Sequence, residues 1–256
     1  MAIWLERGGI KVSIKFENTE VMGWEAAIRG MRNPMNSWEK SDTTFYDNVN
    51  DEYHDICGNS GPFDHDFKTD MIMGYADLGL MKRLRNAGTD HRKFMRMITV
   101  YVDITAPLYW WKEFDTYKVG TVANSCSTMH KIHEKKFTLE DFSHEHLTKG
   151  SIEHLDDTIN TLNDCRYWYM RYDAMDEKDR IHFDEAITCK EDIWWQMIQL
   201  LPSSYNQKRT VMMNYEVLAN IYKSRKNHKL DEWSIGFMNW INDLPYSELI
   251  TGIENE

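Results

Sequence analysis

The sequence predicts an α+β fold, a small sheet joined to a largely helical C-terminal half. Three observations lead there. The stretch RMITVYVDIT (96–105) is dense in β-branched and aromatic residues, as a strand is. A proline-started aromatic helix follows it directly, and from about residue 138 onward helical periodicity takes over. Neither an internal repeat nor a low-complexity linker divides the chain, so residues 1–256 read as a single domain.

Taken in order, IKVSIKF (10–16) alternates apolar and polar residues as a half-buried strand does, and VMGWEAAIRGMRNP (21–34) is a short helix ended by Asn33-Pro34. Residues 42–75 carry Gly58, Gly61, Pro62 and scattered acids, which predicts loop. In ADLGLMKRLRNAG (76–88), Leu78, Leu80, Met81 and Leu84 share one helical face, and Gly88 suits the C-cap. Pro107 fits the first turn of a helix over 107–118. Residues 119–130 lack periodicity and are rich in small polar side chains, which predicts a ligand-facing loop or short turn. Helices are expected from Ser151 to about 172, over 191–202 with Pro202 as the stop, over 213–225 and over 230–244.

At 256 residues the chain is long enough to bury a substantial core. Hydrophobic residues at 42% and charged residues at 28% are globular values, and the ten Trp and sixteen Met point to a bulky interior. A net charge of −11 argues against tracking a nucleic-acid backbone, which needs a basic surface, but leaves room for a small anion held by two or three cations. The four cysteines, Cys57, Cys126, Cys165 and Cys189, form no CxxC pair, as expected of reduced thiols in a cytoplasmic protein. No run approaches 18 apolar residues, and MAIWLERGGIKV lacks a long apolar core, so neither a membrane span nor a signal peptide is expected.

Few residues announce chemistry. His54, Cys57, His65 and Asp66 could ligate a metal, but their spacing fits a solvated acidic loop better than any zinc pattern, so no metal is expected. His130 and His133 lie in a basic stretch and read as surface. Cys126 would need His130 or Lys118 nearby to act as a thiolate nucleophile, and an inert thiol is the simpler reading. GxSxG, P-loop and GxGxxG patterns are absent, which removes the commonest hydrolase and nucleotide fingerprints.

The order of elements says more. LMKRLRNAGTDHRKFMRMITVYVDITAPLYWWKEFDTYKVGTVANSCST resembles the middle of the flavin-dependent thymidylate synthases, in which a helix, a Gly, a His, a strand, Ala-Pro, an aromatic helix and Arg-His-Arg follow one another. Gly88, His91 and Ala106-Pro107 fall into that order. IQLLPSSYNQKRTVMMNYEVLANIYKSR is similar to a second block of the family, through Leu201-Pro202, Asn214, Leu218, Asn220 and Arg225. Together the blocks run from about residue 76 to 240.

That resemblance implies a tetramer, with a site shared between subunits that holds flavin and deoxyuridine monophosphate (dUMP). It implies a reaction in which reduced flavin passes a hydride and a folate donates one carbon to the pyrimidine. The ligand loop would be 112–130 and the nucleotide-arginine helix 213–225. Arg225 matches the family's nucleotide arginine. Substrate contacts would come from Arg225, Lys118, Thr121, Asn124, Ser125, Cys126 and Ser127. Flavin adenine dinucleotide (FAD) contacts would come from His91, Thr116, Tyr117, Lys118 and Asn214. No residue is singled out as catalytic. Tyr109, Trp110 and Trp111 are expected to serve both core and subunit interface.

The departures fall on the ligand groups. Thr116-Tyr117-Lys118 replaces Arg-His-Arg, Asn124 stands for a Glu, Cys126 for a Ser, and Thr128 and Met129 for Arg and Tyr. A flavin pyrophosphate would lose its charged fork, so weak or absent FAD binding is expected. The alternative is a non-catalytic protein on the same fold that senses or sequesters a nucleotide, or a subunit of a larger assembly.

Overall fold

Alternation along Thr99–Pro107 puts Val100, Val102, Ile104 and Ala106 on one face and Thr99, Tyr101, Asp103 and Thr105 on the other, and only the first face is buried. The computed structural model, which describes residues 6–7, 10–45, 71–176 and 187–252, builds its sheet around that strand. Four antiparallel strands, β1 (Lys15–Met22), β2 (Thr99–Pro107), β3 (Val122–Ser125) and β4 (Asn206–Asn214), lie in the order β1-β2-β4-β3. Ile104 opposes both Phe16 and Arg209, and Asn124 opposes Thr210.

The helices are α1 (Trp24–Arg32), α2 (Tyr75–Asn86), α3 (Leu108–Phe114), the short α4 (Thr128–Lys131), α5 (Lys149–Arg171), α6 (Lys190–Leu200), α7 (Tyr215–Arg225), α8 (Met238–Asn242) and α9 (Glu248–Thr251). A π-helix, Glu232–Phe237, leads into α8. The buried sheet face packs on α1, α3, α7 and the π-helix. Trp110 is fully buried there, its ring 4.4 Å from Trp233, 4.9 Å from Trp111 and 5.2 Å from Phe114. The aromatic helix is therefore core within one chain. The expectation that Trp110 and Trp111 also supply subunit-interface surface is corrected: the sheet and the π-helix consume both rings. A second core, of Leu155, Ile159, Leu162 and Met197 with Phe137 and Phe142, joins α5 to α6.

The α+β class and the predicted helices are present. Other local readings differ. The strand read over 10–16 is split: Ile10–Lys11 pairs antiparallel with Glu6–Arg7 in a two-stranded ribbon, and Lys15–Phe16 opens β1, which continues to Met22. Val12 and Ile14 are buried as the alternation demands, but outside the four-stranded sheet, with Ile14 packed so closely on Gly236 that a Cβ there would lie 2.2 Å from it. The segment between the helices predicted at 191–202 and 213–225 forms the inner strand β4, Asn206–Asn214, which is paired on both sides although Lys208 and Arg209 interrupt its apolar pattern. Residues 119–130, expected as loop, contain β3 and α4. Helix α3 also ends at Phe114, short of the predicted residue 118. The His54, Cys57, His65 and Asp66 group lies outside the described residues. Among those described, no helix is long and apolar enough to cross a membrane.

Candidate functional site

Where α3 ends, the chain tightens into successive turns: Asp115 N–H donates to the Trp111 carbonyl at 2.8 Å and Tyr117 N–H to that of Phe114 at 2.9 Å. The Thr121 hydroxyl then donates back to the Tyr117 carbonyl. Gly120 takes φ +77°, where a side chain would be strained, and a Cβ on it would sit 3.0 Å from Val217 and 3.1 Å from Asn214. The loop is thus pressed onto the start of α7. Asn214 caps that helix, its Oδ1 accepting from Val217 N–H at 3.0 Å. Between loop and helix lies a groove of about 270 Å³, lined by Thr116, Tyr117, Lys118, Val119, Val217 and Asn220.

Behind Tyr117 sits Arg225. Its Nε donates to the Tyr117 hydroxyl at 2.8 Å and its Nη1 to Glu113 Oε2 at 2.5 Å. Its guanidinium carbon lies 5.1 Å from the Trp233 ring centre and 5.6 Å from that of Tyr117, within cation–π range of both. Glu113 Oε2 also lies 3.2 Å from His228 Nε2. The other acid at this end of α3, Asp115, pairs with Arg209 at 2.7 Å, and that guanidinium stacks on Trp111. Arg92 sits 2.8 Å from Glu216 on α7 and donates to the Oδ1 of Asn220, a groove-lining residue, at 3.2 Å.

The structure gathers some of the expected residues and separates others. Thr116, Tyr117 and Lys118 line the groove, Arg225 backs it through Tyr117, and Asn214 and Thr121 shape it from within the backbone network. His91 is exposed in the turn after Gly88, whose carbonyl accepts from the N–H groups of His91 and Arg92; its neighbour Arg92 is the residue that reaches α7. Asn124, Ser125 and Cys126 are exposed along β3 and just after it, outside the groove lining, and Ser127 caps α4 by accepting from His130 N–H. His133, read as surface, is half-buried against Tyr169 with ring centres 4.6 Å apart. Glu113, His228 and Trp233 went unremarked in the sequence. A carboxylate two residues after paired tryptophans is ordinary on a helix, and only the fold brings α7 to it.

A second cavity of about 270 Å³, lined by residues including Lys15, Thr105, Lys135, Asp141, His144 and Asn206, contains none of the expected site residues. Among the described residues no three His, Cys, Asp or Glu side chains come together as metal ligands.

This architecture is the fold of the flavin-dependent thymidylate synthases. A solved structure of the flavin-dependent thymidylate synthase ThyX from Helicobacter pylori, complexed with FAD and dUMP, is similar to this chain at a TM-score of 0.55 and 15% identity, covering 90% of this chain and 94% of that one. A second structure of the Helicobacter pylori enzyme with FAD and dUMP gives 0.53 and 15%, covering 90% and 93%. No family model matches the sequence, and no curated protein does.

Proposed function

We propose that this chain binds a pyrimidine nucleotide in the groove between Tyr117-Lys118 and α7; a one-carbon transfer to that nucleotide would in addition require reduced flavin as the hydride donor and a folate as the carbon donor. The groove itself carries the reading: Thr116-Tyr117-Lys118, aligned by sequence with the ligand motif of the flavin-dependent thymidylate synthases, lies against α7 in a fold whose solved relatives hold dUMP. Lys118 would hold the phosphate, and Thr116 and Asn220 would offer hydroxyl and amide groups to the remainder. Calorimetric titration with dUMP tests it. Saturable binding that is lost in Gly120→Val, which fills the loop–helix contact with a strained side chain, is the expected result; no heat from the parent protein would refute it.

The same residues do not fit FAD. The Arg-His-Arg motif would offer a pyrophosphate a charged fork, and the groove lining offers Lys118 as its one cationic side chain. Of the other lysines flanking the motif, Lys131 is paired with Glu134 and Lys135 with Asp141, while the exposed Lys112 and Lys136 lie outside the groove lining. Each charge-assisted hydrogen bond so lost is worth about 1.5–3 kcal/mol. A volume of about 270 Å³ also falls at the small end of ligand pockets, which span roughly 300–1,000 Å³. The purified protein is therefore expected to be colourless, with weak or no quenching of FAD fluorescence on titration. A stoichiometric yellow protein would overturn this and favour the complete flavin and folate reaction. A colourless protein that binds dUMP fits the second reading, a nucleotide-sequestering protein, which the occupied state of Arg225 favours.

Assembly into a homo-oligomer belongs to the same proposal. The outer face of the sheet leaves Met22 44%, Tyr101 38% and Val122 57% exposed, on three different strands. Light scattering should give a multiple of 30.5 kDa, most simply four-fold; a 30.5 kDa particle at micromolar concentration would end this part of the reading.

A further inference from the structure

Charge around the groove is cancelled in pairs. Asp115 neutralises Arg209, Glu216 neutralises Arg92, and Glu113 neutralises Arg225. The last pair is the most enclosed of those next to Tyr117. Arg225 keeps 18% of its side chain exposed, its Nε is committed to Tyr117, and its faces are occupied by the Tyr117 and Trp233 rings. Glu113, 34% exposed, is held from its other side by His228. An anion approaching Arg225 must displace a carboxylate that already sits at 2.5 Å with a favourable charge-assisted bond. What remains in the groove lining is one cation, the exposed Lys118.

Resting on the nucleotide reading above, we infer that Glu113 is a built-in counter-anion: it withdraws Arg225 from anion binding and restricts the groove to ligands bearing a single phosphate, held by Lys118. Glu113 is then a specificity-determining residue. Without the Glu113 charge, Arg225 stays behind Tyr117 but leaves an uncancelled positive charge at the wall of the groove, and ligand charge is tolerated in proportion. With it, Arg225 serves as a stacked wall that fixes the Tyr117 hydroxyl, and additional phosphates find no partner. The device suits a nucleoside monophosphate over its di- and triphosphate.

The experiment compares deoxyuridine, dUMP and dUTP by calorimetric titration at low salt, in the parent chain, Glu113→Gln and Lys118→Ala. Gln keeps the shape of Glu113 and an acceptor for Arg225 while removing the charge. Glu113→Gln should bind dUMP at least fivefold more tightly and gain most for dUTP, with deoxyuridine unchanged. Lys118→Ala, at an exposed side chain whose loss does not threaten folding, should lower dUMP affinity to that of deoxyuridine. Unchanged or weaker dUMP binding in Glu113→Gln, or a preference for dUMP over deoxyuridine that survives in Lys118→Ala, would overturn the inference. Should the parent bind neither dUMP nor deoxyuridine, the nucleotide reading fails. Inorganic phosphate then reads Glu113 alone: binding gained in Glu113→Gln relative to the parent supports the counter-anion, and no gain refutes it.

Discussion

Asp77→Ala should cost about 3–5 kcal/mol of folding stability, the range found when one partner of a buried ion pair is removed. Asp77 is fully buried on α2, and Arg32 on α1 donates to its Oδ1 at 2.7 Å. Its Oδ2 accepts from Ser41 Oγ, Thr43 Oγ1 and the backbone N–H groups of Asp42 and Thr43, at 2.7–3.1 Å. The carboxylate thus ties α1, α2 and the 41–43 segment together. Ala would strand the buried Arg32 guanidinium and remove the acceptor shared by four part-buried donors. Burial alone pushes the Asp77 carboxyl up, but the bonds from Thr43, Ser41 and Arg32, with the Arg32 charge, outweigh it and hold it below its ordinary value. A depressed folded value means the stabilisation is present above the unfolded carboxylate range and is lost as pH falls through the folded one. Urea denaturation at neutral pH and again in acid measures both. A loss under 1 kcal/mol, or a parent–variant difference that does not shrink in acid, would contradict the account.

Trp110→Ala should be of similar size, about 3–5 kcal/mol, because it opens a cavity where four aromatic rings meet the sheet. Trp110→Phe separates packing from polarity. The Trp110 indole N–H is buried without a hydrogen-bond partner, so Phe keeps most of the stacking and removes a donor whose desolvation goes uncompensated. The Phe variant should therefore lose clearly less than the Ala variant, because the cavity it leaves is smaller and no donor stays unpaired. Equal losses for Ala and Phe, measured by thermal and denaturant melts, would mean that the indole ring is not the keystone of this core.

The parts of the fold legible in the sequence are those in which local pattern and tertiary role agree. Strand β2 alternates cleanly because one of its faces is wet, and α2 shows its apolar stripe because Leu80 and Met81 turn into the core with Leu78 and Leu84 packed against it. Strand β4 was illegible for the opposite reason. Lys208 carries its charge to Glu17 and Asp103 on the outer face, and Arg209 stacks on Trp111, so both charges are accommodated within an inner strand whose pattern they interrupt. In the site, Thr116, Tyr117 and Lys118 stood out because they replace a recognisable motif. Glu113, Arg92 and Trp233 did not, since each matters through a partner more than 100 residues away: Arg225 for Glu113, Glu216 for Arg92, and Trp110 for Trp233.

The π-helix at Glu232–Phe237 makes the groove sensitive to chain length rather than to composition. Its hydrogen bonds reach one residue further along the chain than those of an α-helix, so the segment accommodates a residue that an α-helical turn would not. Removing one residue there would let the turn close as an α-helix and rotate everything before it relative to α8. Trp233 would leave both Trp110 and the Arg225 guanidinium, and Glu232 would leave the Tyr109 hydroxyl it accepts from. A single-codon deletion, with no side chain chosen for its chemistry, is thus able to unmake the wall behind Tyr117 while each surviving residue keeps its identity.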